Sequence, residues 1–73
     1  MVNTRDIVEY LVVLTRTFAN RYDMSETEAY RYLRQYGAIA LVHEYYDVMH
    51  TQSFDDMVQS LTSFCQRQGG SLE

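Results

Sequence analysis

Two histidines, one cysteine and a crowd of tyrosines carry most of the reactive chemistry of this 73-residue chain. On a continuous helix His43, Asp47 and His50 stand at i, i+4 and i+7 along one edge. Two imidazoles and a carboxylate could then face a divalent ion such as Zn²⁺ or Fe²⁺. Metal binding through His43, Asp47 and His50 is therefore the alternative function for this chain. Such a site also wants a fourth ligand or an open position, and supporting hydrogen bonds. Neither Glu44 nor Cys65 is obviously spaced to help. The same residues have a plainer reading, in which Asp47 or His50 ends a helix and the imidazole bonds a backbone carbonyl or a tyrosine hydroxyl. Thr51 or Ser53 then satisfies the free amides of the next helix.

A nucleophilic set of Cys65, His50 and Asp47 can be written down. However, Cys65 shares its helical stripe with Phe54, Val58 and Leu61, and a thiol in apolar surroundings has its pKa raised and is inert. Asp55 and Asp56 fall in the first turn of a helix, where the macrodipole favours negative charge. There is no phosphate loop, zinc-ligand pattern or nucleophile elbow. No catalytic residue and no cofactor are expected, and the chain is not expected to be an enzyme.

The middle of the chain is rich in tyrosine, with Arg31 and Arg34 between Tyr30, Tyr32 and Tyr36 and with Tyr45 and Tyr46 beyond. Tyr and Arg dominate the energetics of protein interfaces. Tyrosine also supplies core volume with a wet hydroxyl at the rim, which is the role expected of Tyr36 and Tyr46. Tyr30, on the far side of its helix beside Arg34, is the better interface residue. The expected interaction surface is Tyr30, Arg31, Arg34 and Tyr45, with Val13 on the polar side of the first helix.

Positioning these groups requires helices. The chain has no proline, and its three glycines, Gly37, Gly69 and Gly70, fall where helices would stop. The first helix is predicted over 4–22, with Ile7, Leu11, Leu14, Phe18 and Tyr22 on one stripe and Val8, Val12 and Ala19 on the adjacent one. An arc that wide calls for neighbours on two sides, which makes this the central helix. Ser25 as N-cap, Glu28 three residues later and Met24 facing Ala29 form a capping box with a staple, opening a second helix over 26–36. A third over 38–49 carries a broad apolar arc that should be largely buried, so the first and third helices are expected to be the most buried. A fourth over 54–68 opens at Ser53 with Asp56 at the third position, and sets Phe54, Met57, Val58, Leu61, Phe64 and Cys65 against a polar face.

A chain this short buries only about 60% of the surface its unfolded form exposes, so one thin core and no deep cleft are expected. Apolar content of 47% is nevertheless far above that of a disordered segment. The formal charge is −4 and every basic residue is arginine. A field of that sign repels phosphate backbones, so nucleic acid is a poor partner. The longest apolar runs fall well short of the ~20 residues that span a bilayer. The N-terminus has no signal-peptide pattern, and the single cysteine suits a reducing cytoplasm. Leu72 and Glu73 read as a purification-tag remnant, leaving one helical domain over 1–71.

Several landmarks in order resemble a known family. They are Met24-Ser25-Glu26-Thr27-Glu28-Ala29, the pairs Tyr32-Leu33 and Tyr36-Gly37, Tyr46-Asp47 with His50-Thr51, and Ser53-Phe54-Asp55-Asp56. Together with the Asp55 to Cys65 stretch closing on Gln68-Gly69-Gly70, they make the chain similar, from about Val8 to Gly70, to the short bacterial proteins of domain-of-unknown-function family number 3791. The resemblance implies a compact, all-helical, intracellular bacterial protein, and implies no activity.

The expected fold is all-α, a compact four-helix domain packed as an orthogonal or irregular bundle. The expected function is a non-enzymatic protein–protein interaction or regulatory module that binds a protein partner or itself, with a homodimer as one form, and neither nucleic acid nor membrane. So thin a core gains from burying more surface against a partner.

Overall fold

Ser25 sets the first of the internal boundaries. Its hydroxyl accepts the Glu28 N–H at 3.1 Å while the Glu28 carboxylate accepts the Ser25 N–H at 3.0 Å, so two amides that a helix start leaves without partners are satisfied reciprocally. The Ser25 backbone N–H, then the Ser25 hydroxyl, and to a smaller extent the charge of Arg31 hold the Glu28 carboxyl below the usual carboxylate range. Ser53 repeats the forward half of this device on Asp56 at 3.1 Å. In the computed structural model, which describes residues 4–70, four helices follow: α1 (Thr4–Arg21), α2 (Glu26–Gln35), α3 (Ala38–Met49) and α4 (Phe54–Arg67). No strand occurs among the described residues. Leu72 and Glu73 lie outside them.

The stops are left-handed residues. After α1, Asp23 takes φ +53°, and the Met24 N–H returns to the Ala19 carbonyl at 3.0 Å. After α4, Gly69 takes φ +103°, and the Gly69 and Gly70 amides return to Gln66 and Cys65 at 3.1 and 2.9 Å. Both endings have the bond from the second residue past the cap that defines a Schellman motif. Gly37, at φ +84°, closes α2 and opens α3 in one residue.

The core is built on α1. Leu14 and Phe18 are fully buried, and α1 packs against α2, α3 and α4. Leu33 of α2, Val42 of α3, and Val58 and Leu61 of α4 close over them, all at or near zero exposure. Two aromatic groups flank this centre. Towards the start of α1, the Tyr10 ring meets Tyr46 edge-on at 5.2 Å and Phe54 at 5.2 Å. Towards its end, Phe18 contacts Tyr22 at 5.0 Å and stacks on Tyr32 at 5.8 Å, and Tyr32 contacts Tyr36 at 4.9 Å. Tyr36 and Tyr46 are half-buried, as expected of tyrosines that supply core volume. A polar relay ties α4 to the end of α1. The Thr62 hydroxyl gives its one proton to the Val58 carbonyl at 2.8 Å, so the Tyr22 hydroxyl is the donor in its 2.7 Å bond to Thr62.

The third helix departs from expectation. It is not largely buried: Ala38, Val42 and Met49 enter the core, but Tyr45 and Val48 are 49% and 61% exposed. Its backbone leaves helical geometry at Tyr45, with φ −115° and ψ 20°. The helix is kinked there, yet Ala38, Val42, Tyr46 and Met49 still face the core on both sides of the kink. On α1, Ala19 of the adjacent stripe is buried, while Val8 and Val12 remain 49% and 45% exposed.

Gly37 and Asp23 give a direct test of the stops. A Cβ at Gly37 would meet Phe64 at an ordinary 3.8 Å, so space is available and only the backbone conformation opposes it. Gly37→Ala should cost about 1–2 kcal/mol in urea denaturation, whereas Asp23→Gly should gain up to about 1 kcal/mol.

Candidate functional site

Val8 and Val12, two of the three exposed valines of α1, stand one turn apart and form one wall of an open groove of about 600 Å³ between α1, α2 and α3. Leu11 and Thr15, the neighbouring i, i+4 pair on α1, lie at its floor and are buried. The opposite wall is α2, through Thr27, Tyr30, Arg31 and Arg34. Ile39 and His43, again one turn apart, close the α3 side. Each helix therefore offers the groove a ridge of residues spaced four apart, the surface pattern that receives a packed helix.

Charge is unevenly placed here. Glu26 is the only acidic residue on the groove, and it is held by Arg16 of α1, Nε to Oε2 at 3.3 Å, across exposed surface. Arg31 and Arg34 reach no ion pair among the described residues. The groove thus presents Leu11 and Thr15 at its floor and a guanidinium edge on which Arg31 also feels Glu28, in a chain whose overall charge is −4.

Of the residues assigned to an interaction surface, Tyr30, Arg31 and Arg34 all line this groove, with Tyr30 43% exposed. Val13 and Tyr45 do not, although both are exposed, at 43% and 49%. Val8, Val12 and Ile39 were not assigned to any surface. The signal lay in the width of the α1 arc, which asks for neighbours on two sides where the fold fills only one of them.

The structure does not bring His43, Asp47 and His50 together as ligands, and among the described residues no three His, Cys, Asp or Glu side chains could hold a metal ion. The break at Tyr45 lies between His43 and Asp47, and the two imidazoles have separate surroundings. His43 turns to the groove. His50 is the C-cap of α3, its Nδ1 lies 2.8 Å from the Tyr46 carbonyl, and its ring stacks on that of Tyr46 at 4.8 Å. A carbonyl can only accept, so Nδ1 carries the proton. Thr51 bonds back to Val48 at 2.7 Å, leaving Ser53 alone to cap α4.

Tyr10 also escaped the sequence reading, despite its spacing of three from Ile7 and four from Leu14. It is 8% exposed, and its hydroxyl donates to the Met49 carbonyl at 3.3 Å. Burial, with a smaller contribution from Tyr46, raises its pKa. Burial also raises that of Tyr32, whose hydroxyl is hidden with no hydrogen-bond partner among the described residues. Cys65 is fully buried, and desolvation pushes its thiol up to about 11 from the usual 9.0.

Cys65 therefore titrates in a readable way. The neutral thiol is favoured in the folded state, so its contribution to stability is intact below pH 9.0 and is lost as pH climbs through about 11. Urea midpoints should fall with rising pH from 9 towards 10, and Cys65→Ala should flatten that slope while lowering stability overall. At pH 8 a thiol reagent such as dithionitrobenzoate should label the folded protein on the order of a hundredfold more slowly than the urea-unfolded chain.

No helix among the described residues is long and apolar enough to cross a membrane. No curated protein and no solved structure matches the chain. The sequence model of one family, described as a protein of unknown function, DUF3791, matches residues 9–68. The match covers all of α2, α3 and α4 and most of α1, including the Val12, Tyr30 and Ile39 walls of the groove, and the chain belongs to the DUF3791 family.

Proposed function

We propose that this protein is a non-enzymatic interaction module of the bacterial cytoplasm, which engages a protein partner through the groove between α1, α2 and α3. The observation that carries this reading is the apolar wall of Val8 and Val12, bare on an otherwise well-packed helix and facing Tyr30, Arg31 and Arg34. A small domain exposes scattered apolar side chains as a matter of course. Here they converge on one concavity with the residue types that anchor interfaces. Regulation by docking is the activity such a surface supports, because the groove holds a single imidazole, no thiol, and one carboxylate already paired with arginine.

The decisive variant is Val12→Asp. Val12 is half exposed, so the change should alter folding stability by no more than about 0.5–1 kcal/mol. It should nevertheless abolish association. In affinity capture from the source cells, combined with light scattering on the purified chain, the wild type should form a complex that Val12→Asp and Tyr30→Ala lose and Ser60→Glu, on α4 away from the groove, retains. A strictly monomeric wild type that captures nothing would overturn the reading.

A further inference from the structure

Apolar side chains are bare at a second place. Beyond the break in α3, Tyr45 and Val48 are 49% and 61% exposed, three residues apart, and neither lines the groove. Glu44 and Asp47 stand beside them, both exposed and neither in a hydrogen bond or ion pair among the described residues. This ridge has the chemistry the groove lacks: two apolar side chains for the Val8 and Val12 wall, and two free carboxylates for Arg31 and Arg34.

We propose that the groove is filled by a second copy of this chain, whose Tyr45–Val48 ridge of α3 docks head-to-tail between α1 and α2. The proposal rests on the groove being the binding surface and names its occupant. The apolar surfaces are compatible, because Tyr45 and Val48 offer two bare side chains to the bare Val8 and Val12 wall. Charge supplies the second argument. Arg31 and Arg34 make no ion pair of their own among the described residues, and the ridge brings Glu44 and Asp47 to them. With these two surfaces assigned, Val13 is the only large exposed apolar side chain among the described residues left without a role.

Groove and ridge are different surfaces, so the contact is heterologous. It propagates into a ring or an open chain instead of closing as a dimer. This dictates the test. The wild type should grow in mass with concentration in sedimentation or light scattering, passing beyond the dimer, and should dissociate as salt rises. Val12→Asp, which spoils the groove, and Val48→Lys, which spoils the ridge, should each be monomeric with wild-type helical circular dichroism. Mixed together they retain one intact groove and one intact ridge between them, and should form a 1:1 pair and nothing larger. Arg31→Glu/Arg34→Glu should weaken association by at least about tenfold. Mixing that variant with Glu44→Arg/Asp47→Arg should restore it.

A wild type that remains monomeric up to its solubility limit would overturn the proposal, as would a mixture of Val12→Asp and Val48→Lys that stays unpaired. A closed dimer indifferent to Val48→Lys would overturn it as well. If self-association is absent while Val12→Asp still loses a captured protein, the interaction groove stands and its occupant is a different chain.

Discussion

Leu14 and Phe18 can leave water completely only if three helices converge on one side of α1, and the rest of the molecule follows from that demand. Apolar burial is worth roughly 25 cal/mol per Å², and a chain of this size has little else with which to offset the entropy of ordering. Leu33, Val42, Val58 and Leu61 are committed to that one side. Nothing remains to cover the second stripe of α1, where Val8 and Val12 stay half exposed. The groove is therefore the residue of a packing problem that four short helices solve only once.

Tyrosine is how the fold extends its core beyond the aliphatic centre. A ring brings large apolar area with few rotors, but each hydroxyl must then find a partner or the surface. Tyr10 finds the Met49 carbonyl and Tyr22 finds Thr62, so these rings knit α1 to the end of α3 and to α4. The Tyr32 hydroxyl is hidden against Gly70, where any Cβ would collide with it. That contact leaves no room for a larger residue directly after the α4 stop.

Much of the architecture was legible beforehand because its signals are local. The Ser25–Glu28 box, the Ser53 cap and the glycine stops act within a few residues, and they placed all four helices to within a residue of their observed ends. The buried thiol of Cys65 was also readable, since α4 has a clean amphipathic pattern. What escaped depends on tertiary choice. Periodicity marks an apolar arc without saying which part of it a neighbour covers, so Val8 and Val12 read as core. The break at Tyr45 has no glycine or proline to announce it, and neither the expected burial of α3 nor a metal-holding group of His43, Asp47 and His50 is found among the described residues. Tyr30, Arg31 and Arg34 were singled out from residue type and helix face, whereas their convergence with α1 and α3 on one groove was not.

That break also divides α3 into two tenancies. The half before Tyr45 lends Ile39 and His43 to the groove, while the half after it sends Tyr46 and Met49 into the packing around Tyr10. Because the two halves meet different neighbours across the kink, drift in one need not propagate to the other. Selection can retune what the groove prefers through Ile39 and His43 while the aromatic packing that keeps the chain folded is inherited unchanged.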